Sequence, residues 1–217
     1  YEGGWNQNEV VGDTIRLVSD DSLAGTYQKF IDCLNFIDQI PLHFDVMFRT
    51  NLSSYIDIPV FKKFVEKNHF SITSYEGVKG KTTILRERIY MINTIRRLSR
   101  FAIFGESIPF ISGAGLFLGS EATRALQLYR GSKNNINIID DVKIGWILND
   151  SFQSLIDVNR FDILDTGAHK IGEGNYNNKV HNGLFHYKFK NKNRSFDYEN
   201  LKNFHDIEYR HSICVKP

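Results

Sequence analysis

The stretch Pro109–Tyr129, PFISGAGLFLGSEATRALQLY, changes character halfway along, and its reading decides the fold. Its first half is apolar and interrupted by Ser112, Gly113, Ala114 and Gly115, which predicts a strand, a small-residue break and a second strand. Its second half predicts a helix with Ser120 as the cap. Upstream, DDSLAGTYQKFIDCLNFIDQI has apolar residues at 23, 27, 30, 34 and 37, a helical spacing, with Asp20 or Asp21 placed to cap it. FDVMFRTNLSSYI follows as a short buried strand through Val46, Met47 and Phe48 that ends in a polar turn. Asp57 and Pro59 then open another helix, carrying Phe61, Phe64 and Val65. Strands alternating with helices predict an α/β layered domain.

Two further segments fill the middle. SITSYEGVKGKTTI reads as a strand with a loop, and LRERIYMINTIRRLSRF as a helix with Ile89, Ile92 and Ile95 on one face and arginines on the other. Beyond Asn149 the pattern weakens. LDTGAHKIGEGNYNNKVHNG reads as a long polar loop, GLFHYKFK as a strand, and the rest as a polar tail ending in HSICVKP. Neither an internal repeat nor a linker is visible, so one domain over residues 1–217 is expected.

The stretch Ile136–Leu148, INIIDDVKIGWIL, sets Asp140 and Asp141 between a strand-like and a helix-like apolar run. One reading makes them an N-cap and a first-turn acid. The other lets one cap while its neighbour faces a cleft, since a helix N-terminus favours an ionised carboxylate that can take a proton near neutral pH.

Composition narrows the classes. A formal charge of +2 gives no electrostatic ground for a nucleic-acid or membrane-surface partner. Cys33 and Cys214 lie at opposite ends without a CxxC pair, so a disulfide framework is not expected and a reducing, cytoplasmic compartment is. The apolar stretch near Ile108–Leu118 is too short and too broken to span a bilayer. YEGGWNQNE has no signal-peptide character, and a start at Tyr suggests an upstream piece has been removed.

In order and separation, several of these blocks resemble the fringe-like β-1,3-glycosyltransferases. That family carries a strand ending in a small-residue motif, matched here by Ser112, Gly113, Ala114 and Gly115, then a helix, then an acidic pair and glycine, matched by Asp140, Asp141 and Gly145. DSLAGTYQKFIDCL, with Thr26 and Lys29, is similar to the family's early helix; FDVMFRTNLSSYI takes the slot of the strand leading to its metal-binding carboxylates; LFHYK puts His186 where a late histidine sits. The resemblance spans Asp13 to Lys190 and extends to bacterial and viral glycosyltransferase-like proteins that carry RTNLSS.

It implies a GT-A-like domain with a mixed central sheet flanked by helices and an incomplete first strand. It also implies an inverting transfer of sugar from a nucleotide sugar, a UDP-sugar first among them, to a hydroxyl of a glycan or other acceptor. Asp141 is the implied base, with Asp140 as substitute. Arg49, Thr50, Asn51, Ser53, Gly113, Ala114, His186 and Lys188 form the implied donor-binding set. Trp146, Tyr176 and Tyr187 are candidates to stack on an acceptor sugar.

The sequence departs from the family where a DxD motif would hold a divalent cation, because Asn51, Leu52 and Ser53 stand there. Neutral oxygens are poor ligands for Mg or Mn, so no tightly bound metal is expected. Charge on the departing diphosphate then falls to Arg49, His186 and the basic run Lys188, Lys190, Lys192 and Arg194. Two rivals remain: a GT-A-fold module that only binds carbohydrate or protein, and an RNA-binding surface on the arginine helix and HYKFKNKNR, which the near-neutral charge disfavours. A homo-oligomer is compatible with either class.

Overall fold

The computed structural model describes residues 1–92, 99, 101, 105–149, 151–152, 161–164, 184–190 and 196–214. Along the first half run β1 (Glu9–Val11), β2 (Thr14–Arg16), α1 (Thr26–Ile37), β3 (Val46–Arg49), β4 (Ser54–Ile56), α2 (Ile58–Lys67), β5 (Tyr75–Thr83) and α3 (Ile84–Met91). Then come β6 (Ser107–Gly119), α4 (Ser120–Leu128), α5 (Asp140–Leu148), β7 (Phe161–Leu164), β8 (His186–Lys190) and α6 (Asp197–Cys214). The mixed α/β class read from the alternation is the one observed. The chain divides into two compact units, Tyr1–Arg49 with Ser71–Asp157, and Thr50–Phe70 with Val158–Pro217. It passes between them three times, so the two are not modules strung on one linker.

In the first unit β6 is the middle strand of the order β3-β6-β5, antiparallel to both neighbours. The two predicted strands are one 13-residue strand, and the small residues Ser112 to Gly115 mark an irregularity within it, where the register with β5 jumps from Lys79–Ile111 to Gly77–Leu116. Alternation sends Leu116 and Leu118 to one face, where they pack with Tyr27, Phe30, Ile31 and Leu34 of α1, Ala122 and Leu126 of α4, and Ile144, Ile147 and Leu148 of α5. Three helices thus cover one sheet face, each presenting an apolar stripe to it. A second cluster, Leu17, Cys33 and Ile37, fastens the antiparallel β1–β2 hairpin to α1.

Instead of one mixed central sheet, the strands of the described residues form three small ones. The third belongs to the second unit, where β8 lies between antiparallel β4 and parallel β7. HYKFK is therefore a central strand rather than an edge. Phe185 packs with tilted rings against Phe61 and Phe64 of α2 at centroid distances of 5.1 and 4.7 Å, while Tyr187 and Phe189 pack on Phe204 of α6. The segment read as a polar tail is thus a helix from residue 197 to 214, anchored by Phe204 with Leu201 beside it. The sequence does carry the helical signal, Tyr198, Leu201, Phe204 and Ile207 three apart, but polar and charged residues surround it on every side.

Caps show where local reading holds. Asp57 Oδ1 accepts from the Val60 N–H at 3.0 Å and caps α2 as expected. Asp20 instead accepts from the N–H and hydroxyl of Ser22, leaving α1 to start after Gly25 with no side-chain cap. Ser120 is the first helical residue of α4, after Gly119, not its cap. α3 is capped by Thr83 and ends at Met91, with Ile92 exposed; Ile95 and the arginines at 96, 97 and 100 lie outside the described residues. The polar loop at 165–183, with Tyr176, and the basic residues Lys192 and Arg194 also lie outside them. Among the described residues no helix is long and apolar enough to cross a membrane.

The glycine-rich segment at 75–83 is one strand, with a bulge between Gly77 and Lys79. Gly77 has φ +150, and a Cβ there would stand 2.2 Å from the Gly115 carbonyl oxygen and 2.5 Å from Ile111 Cγ2. Nearby, the Tyr75 hydroxyl accepts from the Ile111 N–H at 3.0 Å. Gly77→Ala should therefore cost about 3 kcal/mol, combining backbone strain with a clash against a carbonyl that has no room to move. Urea denaturation measures it, and a loss under about 1 kcal/mol would show that the bulge relaxes freely.

Candidate functional site

Asp140 and Asp141 are the first two residues of α5. The residue before them, Ile139, holds the cap position in extended conformation and has no side-chain oxygen to offer the helix. The carboxylates therefore take over part of that work, and Asp141 Oδ1 accepts from the Val142 N–H at 2.8 Å. The run before them is not a strand. Ile136, Ile138 and Ile139 are apolar because they pack with Ile108, Val142 and Trp146.

The opposite wall is built from β6 and β3. The Gly113 N–H donates to Asp141 Oδ2 at 2.9 Å, bolting the start of α5 to the middle of β6. Arg49, the last residue of β3, pairs through Nη2 with Asp140 Oδ2, and their side chains are 14% and 13% exposed. Its guanidinium carbon lies 4.9 Å above the Phe30 ring. Nη1 is buried with no hydrogen-bond partner among the described residues, and a Cβ at position 113 would come 2.9 Å from it. Glycine at 113 lets Arg49 and Asp141 close on the strand from the same side, and it leaves a fixed N–H donor unused there.

This geometry treats the two acids differently. Burial, then repulsion from Asp140, raises the Asp141 pKa to about 6, against the lowering pull of the Gly113 N–H, the Arg49 charge and the Val142 N–H. Asp140 is held by the guanidinium. Burial disfavours the charge on Arg49, yet the Asp140 carboxylate and the Tyr1 phenol more than offset it and raise its pKa. The pair is thus one carboxylate locked to a cation and one poised to exchange a proton near neutrality, a division of roles typical of acid–base sites.

In the second unit, the turn at residues 50–54 forms a separate polar cluster. Asn51 Oδ1 accepts from Lys188 Nζ at 2.7 Å, from the Ser53 and Ser54 hydroxyls at 3.1 Å each, and from the Ser53 N–H at 3.3 Å. Lys188 Nζ also reaches Ser53 Oγ. One amide oxygen with two lone pairs is shared among four donors, so this position favours an acceptor richer in negative charge than an amide. His186 Nε2 meets Ser54 Oγ at 3.0 Å. With the Ser54 proton directed to Asn51, that nitrogen is the donor. Ser53, His186 and Lys188 are all buried.

The predicted residues therefore fall into two groups, Arg49, Gly113, Asp140 and Asp141 in one unit and Asn51, Ser53, His186 and Lys188 in the other. Thr50 is an exposed residue where the chain passes between them, and Ala114 is a core residue of β6. Tyr187 is 1% exposed and packs in the core, so it has no face for a sugar. Trp146 is partly buried, with Lys133 Nζ 5.4 Å from its ring centroid. Lys29 pairs with Asp21 and the Thr26 hydroxyl donates to the Leu23 carbonyl, both local to the start of α1. Sequence reading missed Tyr1 and Phe30 as neighbours of Arg49, and Tyr75, whose hydroxyl pKa is raised by burial and also by Asp141. Among these only Phe30 had a signal, its place in the apolar stripe of α1.

Among the described residues no three His, Cys, Asp or Glu side chains converge as metal ligands. No protein-family model matches the chain, and no curated protein is significantly similar to it in sequence.

Proposed function

We propose that this chain is an inverting glycosyltransferase of GT-A-like fold that moves a sugar from a nucleotide sugar, UDP-linked in the first instance, to an acceptor hydroxyl without a DxD-bound metal. The observation that carries the reading is Asp141, a partly buried carboxylate with its pKa near 6, fixed by a backbone donor on each oxygen. Each carboxylate oxygen has a further lone pair. One of these takes the acceptor proton as the hydroxyl oxygen bonds to the anomeric carbon from the face opposite the leaving group. The bond from that carbon to the diphosphate breaks, and its electron pair leaves with the nucleotide. Arg49, in the same unit as Asp141, is the cationic group assigned to the departing phosphates, in place of an ion. In support, the oxygens at positions 51 and 53 already hold an ammonium.

That same closure favours one rival, a module that binds carbohydrate or protein without turnover, since Asn51 and Ser53 are committed to Lys188. The two readings separate in one experiment, a panel of nucleotide sugars incubated with the protein with and without EDTA and followed by nucleotide release. Release that persists in chelator and disappears in Asp141→Asn is the expected result. Release abolished by EDTA would overturn the metal-free assignment. Glycan binding without any turnover, unchanged in Asp141→Asn, would establish the binding module instead.

A further inference from the structure

A groove on the outer side of α1 is unlike an ordinary solvated helix face. Asp32, Asn35, Phe36 and Gln39 recur at helical spacing, so they form one stripe, with Gln39 just past the end of α1. Facing them across a cavity of about 260 Å³ are Asn8 and Ser19 of the N-terminal segment. The stripe therefore forms one wall of a concavity, whereas a solvated helix face stands convex to water. Its volume lies below the roughly 300–1,000 Å³ of pockets for drug-sized ligands, which limits an occupant to about one ring.

The lining specifies the chemistry of that ring. Asn8 Oδ1 accepts from the Val18 N–H at 2.9 Å and Asn35 Oδ1 from Gln127 Nε2 at 3.2 Å, so both amides are held by their oxygens and keep their NH₂ donors. Gln39 adds an exposed amide with both a donor and an acceptor end. Among the described residues Asp32 is the single ionisable side chain of the lining, and no lysine or arginine of theirs contributes. An anion would meet one carboxylate and no cation, which disfavours phosphates and nucleotides. Asp32 Oδ2 accepts from the Ser19 hydroxyl at 2.6 Å and Oδ1 from Gln28 Nε2 at 2.8 Å, which fixes the carboxylate and leaves each oxygen a lone pair for a ligand hydroxyl. Phe36 and Val18 give the groove apolar wall. Amide donors and acceptors beside an apolar surface match a ligand with hydroxyls on its rim and C–H groups on its face.

We infer that this groove binds a single neutral sugar residue, separately from the Asp140–Asp141 pair. The inference does not depend on the transferase reading. NMR titration of the ¹⁵N-labelled chain with glucose, galactose and N-acetylglucosamine tests it, with inorganic phosphate and ethanolamine as charged controls. The side-chain amide signals of Asn8, Asn35 and Gln39 should move with at least one sugar and with neither control. Asn35→Ala and Gln39→Ala should each weaken that binding by about three- to tenfold, as expected for loss of a neutral hydrogen bond, and Gln39→Ala should do so with an unchanged thermal midpoint. Gln39 makes no side-chain hydrogen bond among the described residues, so its variant removes none of those that hold the fold there. Asp141→Asn should bind the sugar as the parent does, which separates this test from that of catalysis. Amide signals that stay still with every sugar, or that move only with phosphate or ethanolamine, would overturn the inference.

Discussion

Asp141→Asn is expected to remove transfer activity and, at the same time, to make the protein more stable at neutral pH. Loss of a positioned general base costs about 10²- to 10⁴-fold in rate. The stability gain follows from the same burial that suits the group to catalysis. In the unfolded chain the carboxyl loses its proton near the ordinary value of 3.8, and in the folded chain near 6. Below the lower value both states are protonated and the residue makes no difference. Between the two the folded state keeps a proton that the unfolded state has released, so stability falls as pH rises. Above 6 the full penalty of a buried anion stands, on the order of 3 kcal/mol. Asparagine carries no charge at any of these pH values; its oxygen still accepts from the Gly113 N–H, and the acceptor lost at the Val142 N–H costs less than the buried charge. Thermal melts should therefore show the variant ahead of the parent at neutral pH, with the two converging in acid. The parent's kcat/KM should rise with pH through about 6 as the base ionises, and Asp140→Asn, which removes the neighbouring like charge, should shift that limb to lower pH. Equal melting temperatures at pH 7 together with retained activity would dispose of Asp141 as a buried base.

The parts of this architecture that sequence makes legible are the local ones. Asp57 caps α2 because its partner, the Val60 N–H, lies three residues away, and the acids at 140 and 141 mark the start of α5 by position alone. Residues 136–139 defeat the same logic. Their apolar run looks like a strand, but it packs as extended coil around Ile138, and only the surrounding cluster distinguishes the two cases. The two polar clusters are less legible still, because the decisive contacts within each join distant residues. Arg49 meets Asp140 across 91 positions, and Lys188 meets Asn51 across 137. A sequence shows that Asn51 and Ser53 are neutral; it does not show that their oxygens hold an ammonium.

Arg49→Met should destabilise the protein by about 3–5 kcal/mol, the usual result of stripping one partner from a buried ion pair. Met keeps much of the length that lies over Phe30, so most of the loss is electrostatic, the cost of a carboxylate at 140 left in a site with 13% exposure. Two consequences separate this from a simple packing defect. Asp140→Asn introduced alongside Arg49→Met removes the stranded charge and should recover more than half of the lost stability, a coupling read directly from a double-mutant cycle in urea. A loss dominated by packing on Phe30 would be left unrepaired by the second change. The other consequence falls on Asp141. Arg49 lowers its pKa, so the Met variant should push the acidic limb of kcat/KM upward, while in the double variant the loss of the Asp140 charge pulls it back down. Stability and pH profile must therefore move together through the three variants. A limb that stays fixed while stability falls would detach Arg49 from the base and leave it a structural cation alone.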